Sequence, residues 1–117
     1  MVSKRNYDVV IIGGGPAGLT AGIYTARARL KSLMIERAAA GGWIVNASVV
    51  ENYPGFPDGI NGLELADAMN RQASKFGLET LAAEVTALNL NGEQKVVKTT
   101  EGEITARAVI VASGSDR

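Results

Sequence analysis

Three glycines, Gly13, Gly15 and Gly18, stand in the run Gly13-Gly14-Gly15-Pro16-Ala17-Gly18 at the spacing G-x-G-x-x-G. Between a strand and a helix, such a turn does its chemistry with backbone. The first glycine allows a tight turn, the second lets the backbone approach a diphosphate, and the third lets the helix pack closely on the strand. The helix start that follows supplies unpaired N–H groups and a positive dipole end, which suit a diphosphate. Pro16 fits there, because the first helical turn needs no N–H from it. About twenty residues on, Glu36 offers a carboxylate at the spacing where one accepts hydrogen bonds from an adenosine ribose. Glu36 alone could equally be a solvated charge at a strand end. Together these residues describe a site for the ADP half shared by FAD and NAD, and the glycine turn does not choose between the two.

The spacing by itself is a weak signal in a chain with 14 glycines among 117 residues, so its surroundings must carry the assignment. Composition removes several competing chemistries. There is no Cys and no His, which excludes a dithiol redox pair, a thiolate nucleophile, a zinc site of the usual ligands and an imidazole base. Redox chemistry would have to come from a bound cofactor. Twelve basic residues balance twelve acidic ones, so no net field draws the chain to nucleic acid or to an anionic membrane. No apolar run is long enough to span a bilayer, and residues 1–6 lead into a strand rather than a signal-peptide core, so the expectation is a cytoplasmic soluble protein. Tyr7, Tyr24 and Tyr53 read as packed rather than catalytic. Glu84, Glu93, Glu101 and Glu103 read as solvated charge beside hairpins.

The elements that must position the turn follow from periodicity. Residues 7–12 (Tyr-Asp-Val-Val-Ile-Ile) form a short β-branched run expected as a buried parallel strand. Residues 19–29 carry Leu19, Ile23, Ala26 and Leu30 at helical spacing, and 31–35 make a second apolar strand ending at Glu36. Strand, helix and strand with short connections imply a right-handed parallel crossover. Residues 37–61 have no sustained period but are too apolar for disorder, which predicts a cofactor-facing loop. A second helix is expected over 63–76, with Leu65, Met69, Gln72, Ala73 and Phe76 on one face and Gly77 at its end. Residues 78–81 make a short strand. Segments 85–90, 94–100 and 103–107, divided by Asn91-Gly92 and Glu101-Gly102, form an antiparallel meander, and 108–112 returns as a buried strand ending at Ser113-Gly114. The predicted fold is α/β, a Rossmann-like parallel sheet flanked by helices with an inserted antiparallel β-meander, in one domain over 1–117.

Four stretches carry a more specific resemblance: residues 7–19, Gly41-Gly42, Glu51-Asn52-Tyr53-Pro54-Gly55-Phe56-Pro57, and Gln72-Ala73 with Phe76-Gly77. Together they resemble the FAD domain of bacterial thioredoxin reductases, of the pyridine nucleotide-disulfide oxidoreductase class, and Val111-Ala112-Ser113-Gly114 is similar to that family's Ala-Thr-Gly strand end. The resemblance implies FAD as cofactor. It implies that Gly13, Gly14, Gly15, Pro16 and Ala17 hold pyrophosphate, with Gly18 completing the turn, and that Glu36 and Arg37 flank the adenosine. Gly41, Gly42 and Trp43 would lie along the ribityl chain and flavin, Asn52 near the flavin ring, Val85 near the adenine, and Ala112, Ser113 and Gly114 near the phosphates. Trp43 departs from the family's usual Gln, and its ring could stack on the flavin or fill space.

The family continues into an NADPH-binding domain with a Cys-x-x-Cys pair and then returns to the FAD domain; neither segment is among these residues. The expectation is therefore a truncated FAD-binding domain that holds flavin without completing disulfide reduction alone. Two alternatives stay open: a flavin-dependent oxidoreductase component reduced by a partner or external donor, and a cofactor-free self-associating domain. Loss of the returning segment should leave the strand at 108–112 on an exposed edge, which predicts a homo-oligomer formed through it.

Overall fold

A computed structural model describes residues 5–37 and 49–113. It contains eight elements: β1 (Arg5–Ile12), α1 (Pro16–Arg27), β2 (Ser32–Glu36), α2 (Gly62–Lys75), β3 (Glu79–Ala82), β4 (Val85–Asn89), β5 (Lys95–Thr99) and β6 (Gly102–Val111). The strands form one six-stranded sheet in the order β3-β2-β1-β6-β5-β4. β3, β2, β1 and β6 run parallel, whereas β5 joins antiparallel to β6 and β4 antiparallel to β5. The predicted α/β sheet with an inserted meander is the observed one.

Both helices pack on one face of the sheet. There Leu19 and Ala26 of α1 and Leu65, Met69 and Ala73 of α2 enclose Val9 and Ile11 of β1 and Met34 of β2. The opposite face gathers Val10, Leu33, Ile35, Val97, Ile104 and Ala106 into a second buried cluster with no residue of either helix. The continuous apolar run in β1 is thereby explained: alternate side chains enter two different cores. At the far end of the sheet from the glycine turn, the buried Tyr7 hydroxyl donates to Glu79 Oε1 at 2.8 Å, tying β1 to the edge strand β3. Burial, reinforced by that hydrogen bond, raises the Tyr7 phenol above its usual range.

α1 starts at Pro16 and stops at Arg27, two residues short of the expected end. Arg29 adopts φ 67°, the left-handed region that costs a side-chain-bearing residue about 1–2 kcal/mol, and Leu30, expected on the helix face, lies beyond it at 42% exposure. Gly22 lies on the buried face, where a Cβ would stand 2.6 Å from Leu78 Cδ2, so an alanine there would have to push the Leu78 side chain aside. α2 begins at Asn61, whose Oδ1 accepts from the N–H groups of Leu63 and Glu64 at 2.9 and 3.2 Å. Its buried face uses Ala66 where the spacing had placed Gln72, which is exposed. Gly77 ends it in the left-handed region at φ 97°, as expected of a C-cap glycine.

Within the long connection, the described part from 49 onward is pinned by an antiparallel bridge between Val50 and Ile60. Tyr53 and Phe56, with ring centroids 6.4 Å apart, pack against the helix-side core. Val50, Tyr53, Phe56 and Ile60 therefore go into packing, while Val49 is exposed.

One strand assignment is corrected. Segments 103–107 and 108–112 are one continuous strand, β6, which bridges two partners in succession. It pairs with β5 through Gly102 to Ala106 and with β1 through Ile104 to Val111. β6 as a whole stands between β1 and β5 and the outer strands of the sheet are β3 and β4, but its second half has β1 on one side only, as expected of the 108–112 segment. Among the described residues nothing pairs with 107–111 on the side away from β1, where β5 has ended, and Val111 there is 61% exposed.

Candidate functional site

The register of the parallel strands decides where the candidate residues meet. β1 pairs Ile12 with Ile35 of β2 and with Val111 of β6, and β2 pairs Glu36 with Ala82 of β3. One step beyond, Gly13, Glu36, Ala82 and Ala112 stand in a row along the carboxyl ends of the parallel strands, with Ala83 following, where open α/β sheets bind their ligands. Gly13 N–H donates to Ile35 O at 2.9 Å, Ala112 N–H to Ile12 O at 2.7 Å, and Ala83 N–H to Glu36 O at 3.2 Å. The row is therefore an extension of the sheet's own ladder.

The glycines of the turn divide by what requires them. Gly13 sits at φ 117°, and a Cβ on it would lie 2.1 Å from Ala112 O. A Cβ on Gly18 would lie 1.9 Å from Gly13 O. Both are demanded by the protein's own backbone. Gly15, the N-cap of α1, has φ −77°, an angle open to any residue, so its backbone conformation does not require glycine. No side chain caps α1, and its first intrahelical bond runs from Leu19 N–H to Gly15 O, which leaves the N–H groups of Ala17 and Gly18 without intrahelical acceptors. Donors of this kind, with the positive end of the helix dipole, favour an anionic group.

Glu36 is fixed by backbone. Its Oε2 accepts from Gly14 N–H at 2.7 Å and its Oε1 from Arg37 N–H at 2.9 Å. Each oxygen keeps a second lone pair, so the carboxylate can still accept from two vicinal hydroxyls. Beside it opens a cavity of about 250 Å³ lined by Ile12, Gly13, Ile35, Glu36, Arg37, Ala83, Glu84, Val85 and Ser113. It has an apolar slot, a hydroxyl-accepting carboxylate at one side and the glycine turn at its floor.

Of the residues singled out from sequence, the structure brings Gly13, Glu36, Arg37, Val85 and Ser113 to this cavity, with Gly14 on Glu36 and Ala112 on Gly13. Gly15, Pro16, Ala17 and Gly18 form the adjoining start of α1. Asn52 lies apart, in a second hollow formed by residues 51–57. Gly41, Gly42, Trp43 and Gly114 lie outside the described residues. Sequence reasoning missed Ile12, Ile35, Ala83 and Glu84. The first two were visible as the last residues of two parallel strands, but Ala83 and Glu84 depend on how β3 registers against β2, for which the sequence carries no signal.

Comparison with known proteins agrees with this geometry. Residues 7–117 match the family model described as pyridine nucleotide-disulphide oxidoreductase. The chain belongs to that family. Within the pyridine nucleotide-disulphide oxidoreductases it is similar to the thioredoxin reductase of Streptomyces coelicolor, with 54% identity over 110 residues, 92% of this chain and 34% of the relative. The thioredoxin reductase of Bacillus subtilis is 48% identical over 116 residues, 99% of this chain and 36% of the relative. A solved thioredoxin reductase structure from Streptococcus pyogenes superposes with a TM-score of 0.91 at 41% identity, covering 97% of this chain and 37% of that one. The chain spans about a third of the length of the curated relatives it matches. Among the described residues no helix is long and apolar enough to cross a membrane, and no cluster of three or more His, Cys, Asp or Glu could hold a metal.

The residues present fit the ADP half of the family's flavin dinucleotide. The helix-start donors beside the glycine turn suit a diphosphate, the carboxylate with spare lone pairs a ribose, and the apolar side chains of the cavity an adenine.

Proposed function

We propose that the chain is one FAD-binding domain of a thioredoxin-reductase-like flavoprotein, and that it holds FAD chiefly through the ADP half. The observation that carries this reading is the meeting, at one cavity, of the glycine turn, the backbone-fixed Glu36 and Val85. Gly13, Gly14, Gly15, Pro16, Ala17 and Gly18 receive the pyrophosphate, with Ala112, Ser113 and Gly114 closing the same end. Glu36 accepts from the ribose hydroxyls and disfavours a 2′-phosphate, whose charge would face its own. Arg37 flanks the adenosine, and Val85 packs on the adenine. Gly41, Gly42, Trp43 and Asn52 serve the flavin end. Bound FAD supplies the two-electron redox chemistry of the family. The 117 residues contain no Cys, so they hold flavin without supplying the dithiol of disulfide reduction.

The test is a visible spectrum of the purified chain mixed with FAD and then desalted. Retained flavin bands near one per chain are expected, and a colourless protein would overturn the reading. Adding NADPH without oxygen should leave the oxidised spectrum in place; bleaching would instead make the chain a reducible enzyme component.

A second reading concerns assembly. Among the described residues no strand pairs with β6 at 107–111 on the side away from β1, and Val111 there is exposed, the kind of edge that a second copy covers by strand pairing. A homo-oligomer formed there is expected in sedimentation; a monomer at all concentrations would remove it.

A further inference from the structure

Part of the cavity's lining is made by Ala83, Glu84 and Val85, where the chain leaves the parallel strand β3 and enters the antiparallel strand β4 through a short connector. Such a connector has no ladder of its own, and its first residue is held by β2 through the Ala83 bond to Glu36 O. The rest is held from the other side by Thr100, in the turn between β5 and β6. Glu84 N–H donates to Thr100 Oγ1 at 3.1 Å, and Thr100 N–H donates to Glu84 O at 3.0 Å. This closes a two-bond clamp between residues 16 positions apart.

The turn that carries the clamp is itself fixed. Thr99 Oγ1 donates to Gly102 O at 2.8 Å and accepts from Glu101 N–H at 3.0 Å, and Gly102 takes φ 122°. Val85 is aimed by the same region. It pairs with Thr99, but the register slips before Ala87, which pairs with Lys98, so Thr86 is an extra residue in β4. Bulges of this kind rotate a strand locally and re-aim the adjacent side chain. The meander thus grips the connector at Glu84 and sets Val85.

We infer that Thr100 is a positioning residue for the adenine-facing wall, acting through the Glu84 backbone and touching no ligand itself. The inference rests on the proposed placement of adenosine beside Val85. It gives the meander a role in the site: without the grip, the connector between two strands of different sheet types would sample several positions, and binding would have to select one of them.

The substitution Thr100→Val removes only the hydroxyl, keeping the shape and the Thr100 N–H bond to Glu84 O. Thr100→Ser keeps the hydroxyl. Titration calorimetry with ADP on the full chain should show Thr100→Val binding about threefold more weakly, the worth of one exposed hydrogen bond, with Thr100→Ser close to the unsubstituted chain. The thermal midpoint of Thr100→Val should stay within a few degrees. Equal ADP affinity in Thr100→Val would overturn the inference, as would equal weakening in Thr100→Ser or a loss that simply tracks the midpoint. An unsubstituted chain that ignores ADP would overturn the adenosine placement itself, and the inference with it.

Discussion

Replacing Gly18 with alanine is expected to lower the stability of the chain by about 3 kcal/mol or more, a large part of the roughly 5–15 kcal/mol that holds a domain folded. The added Cβ would stand 1.9 Å from the carbonyl oxygen of Gly13, far inside any real contact. That oxygen belongs to a turn fixed on two sides. Gly13 N–H is bonded to Ile35 O, and the next strand end is bonded through Ala112 N–H to Ile12 O. Relief by moving the turn would break these bonds, and relief by moving α1 would pull Leu19, fully buried, from the core. Denaturant unfolding of Gly18→Ala should show a midpoint far below that of the unsubstituted chain, or no folded baseline at all. A midpoint within experimental scatter would mean that the turn yields easily.

The second large effect falls on binding. Gly15→Val is expected to leave the fold nearly intact, since Gly15 has an angle that valine adopts. It should nevertheless weaken ADP and FAD binding at least about 100-fold, because the close approach there is made by the ligand's diphosphate to the backbone. Calorimetry and the unfolding midpoint should be measured on the same sample. Unchanged affinity would remove Gly15 from the site; loss of affinity together with loss of fold would put Gly15 in the same class as Gly13 and Gly18. The contrast matters because one motif contains glycines kept for two different physical reasons.

Much of this was legible from residue types. The β-branched run in β1 marked a strand buried on both faces, and Gly77, Gly92 and Gly102, each found at positive φ, marked the helix end and the hairpin turns. The Asn61 cap could have been read from Asn61 followed three residues later by Glu64. Other features left no local signal. The apolar spacing of α1 runs on to Leu30, so its end at Arg27 follows from Arg29 adopting a left-handed conformation that no residue type there advertises. β6 looks like two strands because its halves face different partners. Ala83, Glu84 and Thr100 belong to the site only through register and a bond across 16 positions, and such pairings are set by tertiary packing.

The placement of adenosine beside Glu36 and Val85 is tested most directly by following the backbone amide NMR signals of the isotopically labelled chain during titration with ADP. Saturable shifts are expected at Gly14, Gly15, Ala17, Glu36 and Ala83 to Val85, with the hairpin tip around Asn91 and Gly92 unmoved. Absence of any shift at saturating ADP, or shifts confined to residues away from the glycine turn and Glu36, would contradict it.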